Sequence, residues 1–229
     1  MKRFWKEVAL DADRVVTLDG RPVRTPGRAP LALPSAALAE AVAHEWRAVG
    51  ETVDPRAMPL TGLANAAIDR IAPEPSPFIT DIARYAETDL LCYRADSPAE
   101  LVARQEAAWE PLLDWARRRY DIHFATTAGV MHIAQPEATL TRLAEAVAAC
   151  DPFTLAALQA IVSATGSLIG SLALADGAIE AEALWRAAQI DEDWQAEQWG
   201  EDELATRARD AKRASYDAAV RFLAAISEN

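Results

Sequence analysis

The chain has 229 residues, 51% of them hydrophobic and 25% charged, a composition that excludes collagen-like, low-complexity and disordered proteins. Lys and Arg number 23 against 35 Asp and Glu, giving a formal net charge of −12, which argues against nucleic acid or an anionic membrane as a partner. The two cysteines, Cys92 and Cys150, are too few for a disulfide scaffold. We expect two buried thiols in a reducing cytoplasm.

The first third of the chain has the pattern of strands and turns. Residues 14–18 and 21–25 flank Asp19-Gly20, a dipeptide that tolerates the positive φ of a tight hairpin turn. Pro22 cannot donate a ladder hydrogen bond, so the second hairpin strand is predicted at a sheet edge. Phe4–Leu10 and Leu31–Leu33 are further predicted strands.

Helical patterns begin at Ser35, which can cap a helix that Gly50 is predicted to end in a left-handed conformation. Further helices are predicted over Leu63–Ile71 and Ile79–Glu87. Leu90–Tyr93 has the pattern of a short buried strand.

Nearly all of the remaining chain is predicted to be helical. Ser97–Glu100 forms a capping box before the most regular apolar stripe of the sequence. Two short extended segments are predicted at residues 122–124 and 130–133. Later helices are predicted over Glu137–Ala149, Phe153–Leu174 with a break near Gly166, Ala181–Gln189, and a last helix that includes Leu204–Phe222. The fold class is therefore α+β, with a small N-terminal β-rich domain with flanking helices at 1–95 and a larger all-helical C-terminal domain at 96–229.

The stretch from Phe153 to Ala175 carries no charge and has the length of a membrane span. Polar residues interrupt it and acidic residues flank it, which favours a buried helix or helical hairpin over a membrane-associated scaffold. The run Gly166–Ser171 lacks the Lys-Ser/Thr ending of a phosphate loop, and its small residues favour close helix packing.

No constellation of residues predicts catalysis, and the sequence predicts neither a metal site nor a cofactor. The histidines His44, His123 and His132 are scattered and lack the spacing of a zinc helix. A competing hypothesis is a small-molecule-binding protein or enzyme with a pocket between the two domains. Its nearest polar candidates are Asp89, Arg94 and His132, which have no recognisable reaction geometry.

The most unusual local feature is an acidic, tryptophan-bearing run in which Arg186 is the only basic residue between positions 176 and 206. Its carboxylates are Asp176, Glu180, Glu182, Asp191, Glu192, Asp193, Glu197, Glu201, Asp202 and Glu203. Trp185, Trp194 and Trp199 are interleaved with them. Large apolar side chains with a polar rim are typical of protein-binding hot spots. The alternative is that the tryptophans face inward and the carboxylates face water.

Several segments, in the same order along residues 3–200, match motifs of one family. They are Arg3–Lys6, Leu18–Pro26, Leu33–Ser35, Glu45–Trp46, Met58–Thr61, Thr88–Arg94, Trp109–Trp115 and Asp191–Gly200. The chain resembles the assembly chaperones of the ATP synthase catalytic head that act on its alpha subunit, called F1 complex assembly factor two in mitochondria. It departs from the family at Glu110, where Asp is common, and after Gly200, where mitochondrial members have a Trp-His pair.

The resemblance implies the same two-domain fold, no catalytic activity, and a chaperone that holds the unassembled F1-ATPase alpha subunit until a beta subunit replaces it. Such a protein prevents aggregation and mispairing of alpha. The expected partner is therefore a protein and not a nucleic acid. We expect this chain to be a monomer that does not insert stably into a membrane. Because the match begins at Arg3 with no presequence before it, we expect a bacterial, cytoplasmic member.

The resemblance also assigns residues. The predicted partner-binding residues are Glu192, Gln195, Trp199 and Glu201. The residues predicted to hold the fold are Trp46, Asp89, Trp109 and Pro111.

Overall fold

The computed structural model describes residues 2–129, 131–200 and 202–227. The chain divides into two compact units, each drawn from separate stretches of sequence. The first unit contains the described residues of 1–75, 151–157 and 215–229, and the second contains those of 76–150 and 158–214. The division into domains at residue 95 stays a prediction.

The first unit contains a small antiparallel sheet in the order β1-β2-β3, formed by Val8–Leu10, Val16–Leu18 and Arg21–Pro22. Asp19 and Gly20 have φ values of 48° and 75°, which confirms the predicted turn. Pro22 lies on the edge strand, as its missing N–H requires. The segment around Leu31 contributes isolated bridges, between Val15 and Ala32 and between Arg24 and Pro30, and not the predicted strand.

Helix α1, Ala36–Ala48, begins as predicted, because the Leu38 N–H donates to the Ser35 hydroxyl over 3.1 Å. The predicted ending is wrong. Val49 closes the helix with φ −56° and ψ 125°, so the chain turns away in extended backbone and Gly50 adopts no positive φ.

Trp46 faces the core of the first unit, where its ring packs 5.4 Å from that of Trp5. The neighbouring Glu45 carboxylate accepts the backbone N–H groups of Leu60 and Thr61, each over 2.8 Å. These donors lie in the first turn of α2, Pro59–Ala66, where a carboxylate stabilises a helix. A π-helical turn, Ala67–Ile71, continues α2.

The second unit begins with α3, Ser76–Ala83, and a 3-10 turn, Arg84–Thr88. The strand predicted over residues 90–93 is wrong in its first part. Leu90–Cys92 forms another 3-10 turn, because the Asp89 side chain caps it by accepting the Leu91 N–H over 3.1 Å. Only Tyr93–Arg94 is extended; this is β4.

Helix α4, Ala99–Tyr120, is the predicted amphipathic helix. The capping box is wrong, because Pro98 is the N-cap residue and makes no side-chain cap, while the Ser97 hydroxyl donates to Asp96. Pro111 lies inside the helix at an exposed position.

The loop after α4 differs from the predicted pair of extended segments at 122–124 and 130–133. The extended residues are Thr127–Ala128, β5, which pair in parallel with β4. The Gln135 amide bonds both the N–H and the C=O of Ala125 and so holds residues 122–126 in irregular backbone. Val130, at the start of the second predicted segment, lies outside the described residues.

The apolar stretch folds as two helices, α6 at Pro152–Thr165 and α7 at Leu168–Ala175, after α5 at Glu137–Ala148. Gly166 separates them with a φ of 69°, which confirms the predicted break. A Cβ at Gly170 would lie 2.5 Å from Leu184 Cδ1, so this glycine allows the predicted close packing. Within the described part of the chain, no helix is long and apolar enough to span a membrane.

Three helices complete the described chain: α8 at Ala181–Ala188, α9 at Ile190–Trp199 and α10 at Glu203–Ser227. The predicted fold class is confirmed, because a small strand region is followed by a mostly helical part, with β5 as its short extended exception.

Candidate docking surface

Helix α9 is attached to α4 through polar contacts. The Gln105 amide donates to Asp191 Oδ1 over 2.6 Å and accepts the Ala95 N–H over 2.8 Å, although Gln105 is buried. Near the exposed end of the contact, the Arg104 guanidinium bonds Glu197 over 2.8 Å and lies 4.8 Å from the centre of the Trp194 ring. These contacts fix the face that α9 presents to solvent.

The three tryptophans of the acidic run have different environments. Trp185 is buried, and the Arg213 guanidinium covers its ring at 5.1 Å. Trp194 is half-buried beneath Arg104. Trp199 is 79% exposed. Trp185 therefore faces inward, as the alternative interpretation of the run expects, whereas Trp199 remains exposed to solvent.

A groove of about 480 Å³ runs between α9 and the first half of α10. An ion pair holds the two helices together, since Arg209 bonds Asp193 over 2.6 Å. The groove is lined by Gln189, Glu192, Gln195, Ala196, Trp199, Gly200, Asp202, Ala205, Thr206, Ala208, Arg209 and Lys212. Its wall on α9 follows the helical spacing, with residues 192, 195, 196 and 199 on one face. The groove is therefore built by two helical faces.

The structure brings three of the predicted partner-binding residues together. Glu192, Gln195 and Trp199 are exposed and line this groove. Glu201 lies outside the described residues. Asp191 and Glu192 diverge, as adjacent helical residues must, so that the first bonds Gln105 while the second faces the groove.

The sequence reasoning missed the residues that come to this surface from elsewhere. Arg104 and Gln105 on α4 hold α9, and Arg209 and Lys212 on α10 line the groove. The spacing of residues 205, 209 and 212 is a helical signal that could have marked the second wall. No local pattern marks the α4 residues, because only the tertiary fold places them beside α9.

Asp89 is fully buried and binds the start of α7. Its carboxylate accepts the Ser167 hydroxyl over 2.8 Å and the Ile169 N–H over 2.9 Å, in addition to the Leu91 N–H. Burial raises the pKa of Asp89 to about 6, against the opposing effect of these hydrogen bonds. These contacts support the predicted structural role.

The other predicted structural residues occupy different environments. Trp109 is fully buried, and its Nε1–H donates to the Ala187 carbonyl over 2.8 Å. Trp46 is buried in the first unit. Pro111 is exposed, and its structural role stays a prediction. Burial also raises the pKa of the Cys92 thiol to about 12, whereas Cys150 is half-buried, not buried as expected.

The residues of the competing hypothesis do not converge. Arg94 bonds Glu110 over 2.7 Å, and His132 Nδ1 lies 3.1 Å from the Tyr93 hydroxyl. Within the described ranges, no hydrogen bond joins any two of Asp89, Arg94 and His132. Nor do the residues described in the structure include a cluster of three His, Cys, Asp or Glu that could hold a metal ion.

Comparisons with known proteins agree with the fold and with the motifs. The sequence profile described as ATP12 chaperone protein matches residues 2–117. The crystal structure of Atp12 from Paracoccus denitrificans is 42% identical, covers 98% of each chain and superimposes with a TM-score of 0.92. A variant of the P. denitrificans protein with lysine in place of an aspartate, also 42% identical, covers 98% of this chain and 97% of its own, with a TM-score of 0.93.

The Atu1473 protein of Agrobacterium tumefaciens is 43% identical and has a TM-score of 0.91. The match covers 99% of this chain and 86% of that one. The profile spans half of this chain, and the structures span nearly all of it at identities that indicate common descent. The chain therefore belongs to the ATP12 chaperone family, the ATP synthase assembly chaperones that its motifs resemble.

Proposed function

We propose that this protein binds the unassembled alpha subunit of the F1 head of ATP synthase and holds it until a beta subunit takes its place. A free alpha subunit exposes apolar surface that beta subunits cover in the assembled head. Such surface aggregates, and the similarity of alpha and beta makes mispairing a hazard. A chaperone that covers it removes both risks.

The observation that carries this proposal is the exposure of Trp199 beside Glu192 and Gln195 on the groove between α9 and α10. A tryptophan that is 79% exposed contributes little to folding. Aromatic anchors surrounded by polar residues carry much of the binding energy of protein interfaces. We therefore assign partner contact to Glu192, Gln195 and Trp199, and we extend it to Glu201 from the resemblance.

The composition of the groove suits a complex that must later release its partner. Beta has to displace the chaperone, so the interface must be tight enough to prevent aggregation and weak enough to exchange. A small apolar floor with a charged rim meets this need, since rim charges speed association more than they add to affinity.

The proposed action requires no catalysis, and we propose that the protein works as a monomeric binding protein in the bacterial cytoplasm. It is sufficient that the exposed surface of alpha is covered first by this protein and then by a beta subunit. Nucleotide turnover and a cofactor have no part in this scheme.

The test is light scattering of the isolated alpha subunit of the same organism, with and without this protein, followed by size-exclusion chromatography of the mixture. The proposal predicts suppressed aggregation and a stable complex with alpha. The assembled F1 head is the control, and it should form no complex because its alpha surfaces are covered by beta.

Unchanged aggregation of alpha would contradict the proposal. Equal binding to free alpha and to the assembled head would also contradict it, because the proposed surface of alpha is covered by beta in the assembled head.

A further inference from the structure

Lys212 is a cation of the groove that its neighbours leave unpaired. It lines the groove and is half-buried, and no described carboxylate bonds it. The three arginines nearest to it on α10 are paired, Arg207 with Glu203, Arg209 with Asp193 and Arg213 with Glu182. Lys212 is the basic residue of this part of α10 that has no such partner among the described residues. A cation without one, inside a groove, is available to a ligand.

Glu192 lines the opposite wall of the groove, on α9, and is likewise a charge that its neighbours leave unpaired. It is exposed, lines the groove, and has no ion-pair partner within the described ranges. The adjacent Asp193 reaches across to Arg209 over 2.6 Å, so acids of α9 and bases of α10 can meet at this level of the groove. Glu192 and Lys212 each lie further from the turn at Gly200 than this pair does. The open end of the groove therefore carries one free charge of each sign.

The other end of the groove, near Gly200, combines polar and apolar side chains, since Asp202 and Thr206 line it together with Trp199. Trp199 forms its wall, and Ala196, Ala205 and Ala208 line it with small side chains. Alanines leave the space for side chains of a partner, and an amphipathic segment supplies apolar side chains and charges at fixed spacing. A partner seated here would place apolar residues at the Trp199 end and charges at the open end.

We propose that Lys212 binds an acidic side chain of the docked alpha subunit, on an amphipathic segment whose apolar side chains fill the groove beside Trp199. Glu192 then faces a basic residue of the same segment. The two opposite charges admit the segment in one direction only, because the reversed charges would repel. This inference rests on the proposed function.

Carbodiimide cross-linking tests the contact directly. The reagent joins a lysine amine to a touching carboxyl group through an amide bond, without a spacer. With the full-length protein and isolated alpha, we expect a cross-linked peptide that joins Lys212 to an Asp or Glu of alpha. Lys212→Arg should abolish that peptide and retain binding, because arginine keeps the charge but does not form the cross-link.

Charge reversal supplies the second measurement. Lys212→Glu should weaken capture of alpha about tenfold by replacing an attraction with a repulsion. Lys2→Glu, at an exposed position of the first unit, makes the same change in net charge and should leave capture unchanged. Thermal unfolding of each variant verifies that the fold is retained.

The outcomes separate the two proposals. If the protein does not capture alpha at all, the proposed function is wrong. If it captures alpha and Lys212 forms no cross-link to it, or Lys212→Glu binds as the native protein does, this inference is overturned and the proposed function stands. A Lys212 cross-link to a carboxylate of another copy of this chain, formed in a covalent dimer and in place of one to alpha, would identify a second copy as the occupant, which also overturns it.

Discussion

Trp109 and Trp199 use the same side chain for opposite purposes. Trp109 is 0% exposed, and its indole N–H is bonded to the carbonyl of Ala187. Trp199 is 79% exposed and lines an open groove. The first packs inside the second unit, and the second is available for contact with another molecule.

The difference extends to the surroundings of each residue. Beside α7 the buried Asp89 carboxylate is satisfied, because it accepts the N–H groups of Leu91 and Ile169. In the groove, Glu192 and Lys212 lack partners among the described residues. If the groove is the docking surface, as we propose, substitutions in the packed helices should change stability and substitutions in the groove should change binding.

The largest expected effect is that of Trp46→Arg. Trp46 is buried against Trp5, so the arginine would lose this packing and bring an unpaired charge into the core. We expect a loss of about 5 kcal/mol in the free energy of unfolding, or no soluble protein. Denaturant unfolding measures it. His44→Arg, on the exposed face of the same helix, should be nearly neutral, and equal effects of the two variants would contradict the burial of Trp46.

Trp109→Ala should destabilise the second unit by about 4 kcal/mol, through a cavity and an unpaired Ala187 carbonyl. Trp109→Phe, which keeps much of the ring volume and loses the hydrogen bond, should cost less. Urea unfolding of both variants measures the two contributions. A loss below about 1 kcal/mol for Trp109→Ala would show that the site can collapse.

Asp89→Asn should cost about 2 kcal/mol, because the amide places an NH₂ group against donors such as the Ile169 N–H. Capture of alpha by the folded variant should be unchanged. Chemical unfolding at neutral pH and a binding assay provide the two readouts. Retained stability with lost capture would make Asp89 a binding residue and reverse its assignment.

The pH dependence of the same variant sharpens this prediction. Burial raises the pKa of Asp89 to about 6, whereas an unfolded Asp has a pKa of about 4. Between these values the folded protein holds a proton that the unfolded chain has released, so the contribution of Asp89 to stability falls as the pH rises. The stability of the native protein relative to Asp89→Asn should therefore increase from about pH 7 to pH 4; a constant difference would contradict the raised pKa.

Trp199→Ala should have the smallest effect on stability, within about 0.5 kcal/mol, because the side chain is already exposed. Its effect on capture of alpha should be tenfold or more, as for a central aromatic anchor. Phe4→Ala removes another exposed aromatic side chain, 67% exposed in the first unit, and should bind normally. Equal capture by both variants would exclude the groove as the docking site.

The sequence predicts those parts of the fold that depend on local chemistry. The Asp19-Gly20 turn, the Ser35 cap and the break at Gly166 follow from φ preferences and from one side-chain hydrogen bond. Likewise, the segment around Asp191–Gly200 could be selected as a candidate binding region because its acids and tryptophans are adjacent in sequence, and its role in binding stays a prediction.

Features that depend on distant residues could not be predicted. Leu90–Cys92 has an apolar pattern typical of a strand, but the Asp89 cap turns it into a 3-10 turn. Asp89 holds that position because Ser167 and Ile169, far along the chain, also bond it. In the sequence, the acidic run contains a single basic residue to balance its negative charge. In the fold, Arg104, Arg209 and Arg213 form ion pairs with it from other parts of the chain.

Amide hydrogen exchange, measured on the protein alone and with a stoichiometric amount of isolated alpha subunit, tests the central claim most directly. The account predicts slower exchange in α9 and in the first half of α10, residues 190–199 and 203–214, with little change in α4. Protection confined to other elements, or no protection anywhere in the presence of alpha, would contradict the assignment of the groove as the docking surface.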